Sequence, residues 1–407
     1  MPSSITSMFW ISLAAVLAPL IAGLIPRRLI PEVVFLLGFG AILGPYGLGL
    51  AAKDEAIDML SQLGLAMLFL LAGYEIELKE LTSRAGRRAL ATWLACLSLA
   101  FGLVAVLHVA KVLHGEIALA IALTSTTLGT LLPILRDSGL MQTPVGIAVL
   151  RHGAFGELGP IVAIAVLLGA RGPVASMLIL LAFAGIAALM SLPPIRLRSE
   201  TSRLMELIRL GSETTGQIPV RLTLLLLMTL IALATAFHLD IILAAFAAGF
   251  ILRRALPQGN ERLEIKIDGL AFGLLIPIFF VVSGMIVNPH AIVRRPDDLV
   301  AILALILVAR GLPVYLVSRF RPEPSEHMEP MNNRESLAVG LFAATGLPII
   351  VAVTAVAVRA GEMSDSNASL LVAAGATTVL LCPMLATLLV ARSSEPVRQE
   401  PSPEVLP

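Results

Sequence analysis

One carboxylate, Glu157, stands inside a run of apolar and small residues, RHGAFGELGPIVAIAVLLG (151–169), with Arg151 and His152 on its N-terminal side. Thirteen residues separate it from Pro144, where the run's helix is expected to begin. At 1.5 Å per residue this is a depth of ~20 Å, near or just past the middle of a ~30 Å hydrocarbon core. An ionised side chain at that depth costs about 3 kcal/mol on insertion scales. Desolvation favours the neutral acid and a nearby guanidinium favours the carboxylate. An acid balanced between the two can exchange a proton for a small cation, which is the chemistry the stretch offers.

A second intramembrane charge, Arg310, lies about twelve residues into an apolar run that begins near Asp298, ~18 Å deep from the opposite face. Arginine does not deprotonate in proteins, so it holds a permanent charge at the depth of Glu157. The two are natural partners; the alternative is a fixed bridge from Arg310 to Glu335 or Glu75. Gly153, Gly156 and Gly159 repeat every third residue around Glu157, which permits close approach of another helix or leaves room for water and an ion. Pro160 loosens the turn above. Arg151 and His152 either line a cytoplasmic funnel or snorkel and bond locally. Glu75, Glu77, Asp240, Asp268, Glu335 and His108 fall near the ends of apolar runs, where polar groups are ordinary.

The elements that must hold these residues are membrane helices. Of 407 residues 57% are hydrophobic and 14% charged, with a mean hydropathy of +0.92; a soluble domain carries about 25% charged residues. A net charge of +1 points to no acidic or basic partner, nucleic acid included. Cys96 and Cys382 lie in apolar runs and read as buried thiols. Runs long enough to span give thirteen segments, approximately 7–25, 32–51, 57–77, 88–110, 116–136, 144–169, 172–192, 220–238, 240–255, 267–287, 298–318, 335–358 and 366–391. Loops after odd-numbered segments, with the tail, hold 21 Lys and Arg against 6 after even-numbered ones. By the positive-inside rule the N-terminus is expected outside and the C-terminus in the cytoplasm. No basic stretch precedes the first apolar run, so that run is expected to be a retained helix. The tail 393–407 is Pro-rich and expected to be disordered and cytoplasmic.

Three pairs of short strings recur in order at nearly one offset: GAIL (40–43) with GFIL (249–252), LFLLAG (68–73) with FFVVSG (279–284), and TLLP (130–133) with TGLP (345–348). Each pairs segment n with segment n+7. Seven is odd, so partners run in opposite directions, the mark of an inverted-topology repeat. The repeats span about 10–192 and 218–391. The fifth and twelfth segments carry Thr, Gly and Pro in mid-span, TSTTLGTLLPIL (124–135) and AATGLPIIVAVTAV (343–356). Breaks of this kind are tolerated inside protein or along a watery cavity; the alternative is a simple proline kink.

The stretches AMLFLLAGYEIEL (66–78), TSTTLG (124–129), FGELGPIV (155–162), IFFVVSGM (278–285), RGLP (310–313) and RESLAVGLFAATGLP (334–348) resemble the monovalent cation:proton antiporter-2 family of sodium/proton exchanger-like transporters. The resemblance covers about residues 10–391. It implies an all-α polytopic fold of about thirteen helices in a membrane domain over 1–392. Two inverted repeats contribute crossing broken helices, and the protein is expected to be a homodimer in the cell membrane. It implies Glu157 as the residue that binds the ion or proton and Arg310 as the basic residue of the site. Thr126, Thr127 and Thr345 are expected to contribute oxygens, and the transported ions are Na⁺ or K⁺ and H⁺. The sequence departs from the family at one point. Where relatives carry two adjacent polar residues, this chain has Gly156 before Glu157, so a single titrating acid predicts one-for-one, electroneutral exchange. No nucleotide-binding regulatory domain is expected after the membrane domain. No cofactor is expected, and no intramembrane enzyme signature is present. The alternative function is a proton-uncoupled cation channel or K⁺ efflux pathway.

Overall fold

The computed structural model describes residues 2–24, 31–75, 83–109, 116–167, 185, 217–237, 239–256, 260–320 and 331–391. Among them the regular structure is helical throughout, as expected where lipid offers backbone groups no partner. In chain order the helices are α1 (Ser4–Leu24), α2 (Glu32–Leu43), α3 (Glu55–Glu75), α4 (Arg84–Val109), α5 (Glu116–Leu123), α6 (Leu128–Asp137) and α7 (Pro144–Leu167). They continue with α8 (Ile218–Ala236), α9 (Ile241–Ala255), α10 (Glu261–Ile286), the short α11 (Pro289–Arg294), α12 (Pro296–Phe320), α13 (Asn333–Ala343), α14 (Leu347–Arg359) and α15 (Asp365–Ala391).

Among the described residues nine helices are long and apolar enough to cross a membrane. The nine include the interrupted pair α13–α14, and the shorter α2 and α9 and the interrupted pair α5–α6 account for three more of the expected segments. The segment expected at 172–192 and the tail 393–407 lie outside the described residues.

The second segment is a correction. It is expected over 32–51 but ends at Leu43 after 12 residues. Gly44 turns extended because Pro45 follows, and a residue before proline is pushed out of the helical region. The fourth segment starts earlier than expected, at Arg84.

The helices form two groups. α2 and α3 pack on α9 and α10, with α1 and α8 alongside, while α4 to α7 pack with α12 to α15. In the first group the glycines of the recurring strings make close backbone contacts. A Cβ on Gly40 would strike the Val281 carbonyl, and one on Gly284 the Leu37 carbonyl, so α2 and α10 meet backbone to backbone. Likewise Gly73 lies on the Phe246 carbonyl and Gly249 on that of Leu70, joining α3 to α9. Exchanging the matched strings turns the first contact into the second.

Two π-helical turns interrupt long helices, Ala271–Leu275 in α10 and Leu307–Gly311 in α12. Such turns insert one extra residue and re-aim side chains, often at functional sites. The second carries Arg310.

Candidate functional site

The site forms where the two interruptions meet. α5 stops at Leu123 and α6 begins at Leu128; α13 stops at Ala343 and α14 begins at Leu347. The extended residues between them bond across. The Thr127 N–H donates to the Thr345 carbonyl at 2.8 Å. The Ser125 hydroxyl approaches the Gly346 carbonyl at 3.3 Å. The Thr126 hydroxyl donates to the Ala343 carbonyl, the last of α13. A Cβ on Gly346 would collide with Ser125, so glycine is required for the crossing. Backbone groups lost from the helical ladders are thereby satisfied, and a simple proline kink is ruled out for both segments.

α7 runs past this crossing and is tied to it by its own proline. Pro160 has no N–H, which frees the Gly156 carbonyl four residues earlier. That carbonyl accepts from the Thr126 N–H at 2.9 Å. Three glycines of α7 each meet different neighbours. Gly153 lies on Leu128, Gly156 on Arg310 and Thr126, and Gly159 on the Trp93 ring of α4. The close-approach reading of this ladder therefore holds, and its space is filled by protein.

Glu157 is 3% exposed. The Leu128 backbone N–H, first of α6, faces its carboxylate, a favourable position because helix N-termini attract anions. The other charge that acts on it is Glu75, at the end of α3. Thr127, the N-cap of α6, makes no side-chain cap bond, and its hydroxyl is buried without a partner among the described residues. An unpaired buried hydroxyl costs about 1–3 kcal/mol and marks a place where a ligand oxygen is free. Glu157 and the Thr127 hydroxyl thus flank the start of α6. Thr126 and Thr345 are spoken for: the Thr345 hydroxyl donates to the Phe342 carbonyl at 2.6 Å.

Arg310 is fully buried, and its expected partner is corrected. Among the described residues it makes no ion pair with Glu157, Glu75 or Glu335. Its Nε donates to Thr126 Oγ1 at 3.0 Å, Nη2 to the His152 carbonyl at 2.6 Å, and Nη1 reaches Cys96 Sγ at 3.7 Å. The π turn aims it at the face of α7 that carries Gly156, while Glu157 lies about 100° further round that helix. Glu335 is occupied in the capping box of α13 with Asn332.

His152 is buried with Nδ1 unpartnered among the described residues, and the charges acting on it are Arg310 and Arg151. Arg151 is half-buried. Asp240 caps α9, accepting from the Ile242 N–H at 2.9 Å. Two contributors escape sequence reading: Cys96, which touches Arg310, and Glu75, which acts on Glu157. Glu75 also lines a cavity of about 330 Å³ with Arg253, Glu264 and Asp268.

The interrupted, crossing helices and the buried acid beside them define a polytopic helical membrane protein with a polar site between its broken helices. The sequence model described as "Sodium/hydrogen exchanger, transmembrane" matches residues 12–392, and the chain belongs to that family. It is 25% identical over 97% of its length to the putative Na⁺/H⁺ antiporter YjbQ of Bacillus subtilis and spans 64% of that relative. It is 24% identical to the Na⁺/H⁺–K⁺ antiporter GerN of Bacillus cereus over 69% of this chain and 70% of the relative. Its fold is similar to that of the sodium proton antiporter MjNhaP1 from Methanocaldococcus jannaschii at pH 8. The TM-score is 0.59 at 15% identity, over 95% of this chain and 97% of that one.

Proposed function

We propose that the chain is a secondary transporter that exchanges a monovalent cation, Na⁺ or K⁺, for H⁺ by alternating access. The observation that carries this reading is Glu157, buried at the crossing and beside a threonine hydroxyl with no protein partner. A proton or a cation neutralises the acid and lets the second helix group move past the first. Empty and ionised, the same acid meets the full desolvation cost in an apolar surround. That difference couples the two fluxes. One acid at the site gives one-for-one exchange without net charge movement.

Thr127 supplies an oxygen to the cation and Glu157 its charge. Arg310, Thr126, Gly156 and Thr345 are the frame that fixes the crossing, and Arg151 and His152 lie on the approach to it. The reciprocal glycine contacts support two inverted repeats within residues 1–392. The basic-residue asymmetry supports a cell-membrane orientation with the N-terminus outside and the C-terminus cytoplasmic, and the family resemblance supports a homodimer. The test is exchange in proteoliposomes. With the membrane potential clamped, an outward Na⁺ or K⁺ gradient acidifies the lumen only if the fluxes are coupled. Cation flux without proton movement would replace this reading by a channel.

A further inference from the structure

Between the two helix groups, at the end opposite the Glu75 cavity, lies a second cavity of about 130 Å³. α3 and α10 line one side, and α14 and α15 the other. Its floor is apolar, with Leu65, Phe279 and Val351. Its wall carries oxygens from Ser61, Ser283 and Thr354. Its charges are Lys53, Asp58 and Arg359. Lys53 pairs with Asp58 at 2.7 Å, and both side chains keep a third or more of their surface exposed. The Gln62 amide donates to the other Asp58 oxygen at 2.8 Å. Arg359 ends α14 and comes from the other helix group. Its charge acts on Asp58 and also on Asp240, the cap of α9.

Two features stand out physically. The cavity straddles the boundary that alternating access must open. And its charged groups are two cations against one carboxylate, an unfavourable potential for a positively charged substrate. An exposed Lys–Asp pair contributes little stability, and a basic residue in the last turn favours its own helix. Neither role needs the three groups to share one cavity between the moving parts.

We propose that this crevice is the outer half of the ion path, and that Arg359 and Lys53 hold its cation affinity low, so that cation is released readily at that face. Asp58 is the docking oxygen there, and the Lys53 ammonium occupies it in place of the substrate. The inference rests on the transport reading and orientation above. The charges shift half-saturation at one face only; the equilibrium exchange ratio is fixed by the gradients. At ~10 Å, one unit charge changes a cation's local concentration about twofold in water and more where water is partly excluded. The effect fades as ionic strength rises above about 0.1 M, where the Debye length is ~10 Å.

The experiment is Na⁺-driven proton exchange in proteoliposomes of known orientation. Half-saturation is measured separately for Na⁺ at each face, with choline holding ionic strength constant. Arg359→Gln and Lys53→Gln are each expected to lower half-saturation at the outer face about two- to fivefold. Half-saturation at the inner face should be unchanged, and the effect should shrink when choline is raised. Arg359→Glu should go further than Arg359→Gln. Lys53 is a surface residue, so its variant guards against a folding defect at Arg359. Ser283→Cys should react from the outer face with a membrane-impermeant thiol reagent that leaves the unsubstituted chain unlabelled. Equal shifts at both faces, no shift at either, or an unreactive Ser283→Cys would overturn the proposal while leaving the transport reading intact. Absence of any Na⁺-dependent proton movement in the unsubstituted protein would overturn both.

Discussion

The guanidinium of Arg310 occupies the space that a side chain on Gly156 would fill: a Cβ built there collides with Arg310 Nη2 and Thr126 Oγ1. This is the packing reason for glycine at position 156. A polar side chain before Glu157 and an arginine docked on the Thr126 hydroxyl are mutually exclusive in this packing. The group packed on Gly156 is therefore a fixed cation that bonds Thr126 and the His152 carbonyl.

Gly156→Ala tests that relationship. Overpacking a filled site typically costs 1–3 kcal/mol, and here the atoms displaced hold the crossing. The expected outcome is a lower thermal midpoint in detergent and at least a tenfold fall in exchange rate. Arg310→Lys, which cannot serve three acceptors in a planar fork, should lower exchange by a similar factor. The double variant should be less than additive, because both changes break one contact. Additive losses would mean that the two residues act separately.

Thr126 and Thr127 should separate in their effects, although they are neighbours of one type. The Thr126 hydroxyl donates to Ala343 and accepts from Arg310. Thr126→Val leaves both groups buried and unpaired, which costs about 1–3 kcal/mol each, so stability should fall. The Thr127 hydroxyl has no partner among the described residues. Thr127→Val should keep or raise the thermal midpoint while raising the KM for Na⁺ or K⁺ several-fold. Thermal shift and transport kinetics on the two variants read this directly; a destabilised Thr127→Val with unchanged KM would contradict it.

Glu75 supplies a test of the approach to the site. Its charge acts on Glu157, and a negative charge near a cation site raises cation occupancy. Glu75→Gln should raise the KM for the cation about two- to tenfold, with the maximal rate nearly unchanged. Raised salt at fixed substrate should reduce the difference. A variant that loses all exchange would give Glu75 a role equal to that of Glu157.

Much of this arrangement is legible in the residues themselves. Glu157 announces itself because a carboxylate in an apolar run has a large cost and needs a reason. The interruptions at 124–127 and 344–346 announce themselves through Thr, Gly and Pro in mid-span. The strings containing Gly40, Gly73, Gly249 and Gly284 are short, yet their glycines turn out to be the contact points of α2 with α10 and α3 with α9. What sequence does not convey is azimuth. Counting residues puts Arg310 and Glu157 at one depth, but a π turn, with no composition signal of its own, rotates Arg310 towards Gly156. Cys96 is hidden for a related reason. It reads as an ordinary buried thiol, and its contact with Arg310 bridges residues 214 apart in the chain. The early end of α2 is legible too: Gly44–Pro45 is a helix stop, although the apolar run continues beyond it.

In the proposed mechanism proton and cation share Glu157. This sharing is tested most directly by measuring Na⁺- and K⁺-driven proton flux in proteoliposomes across pH, for the unsubstituted chain, Glu157→Gln and Glu157→Asp. Acid pH should raise the apparent KM for the cation without changing the maximal rate. Glu157→Gln should carry no coupled flux, and Glu157→Asp should retain a reduced, still competitive exchange. Cation-coupled proton flux persisting in Glu157→Gln would contradict the shared site.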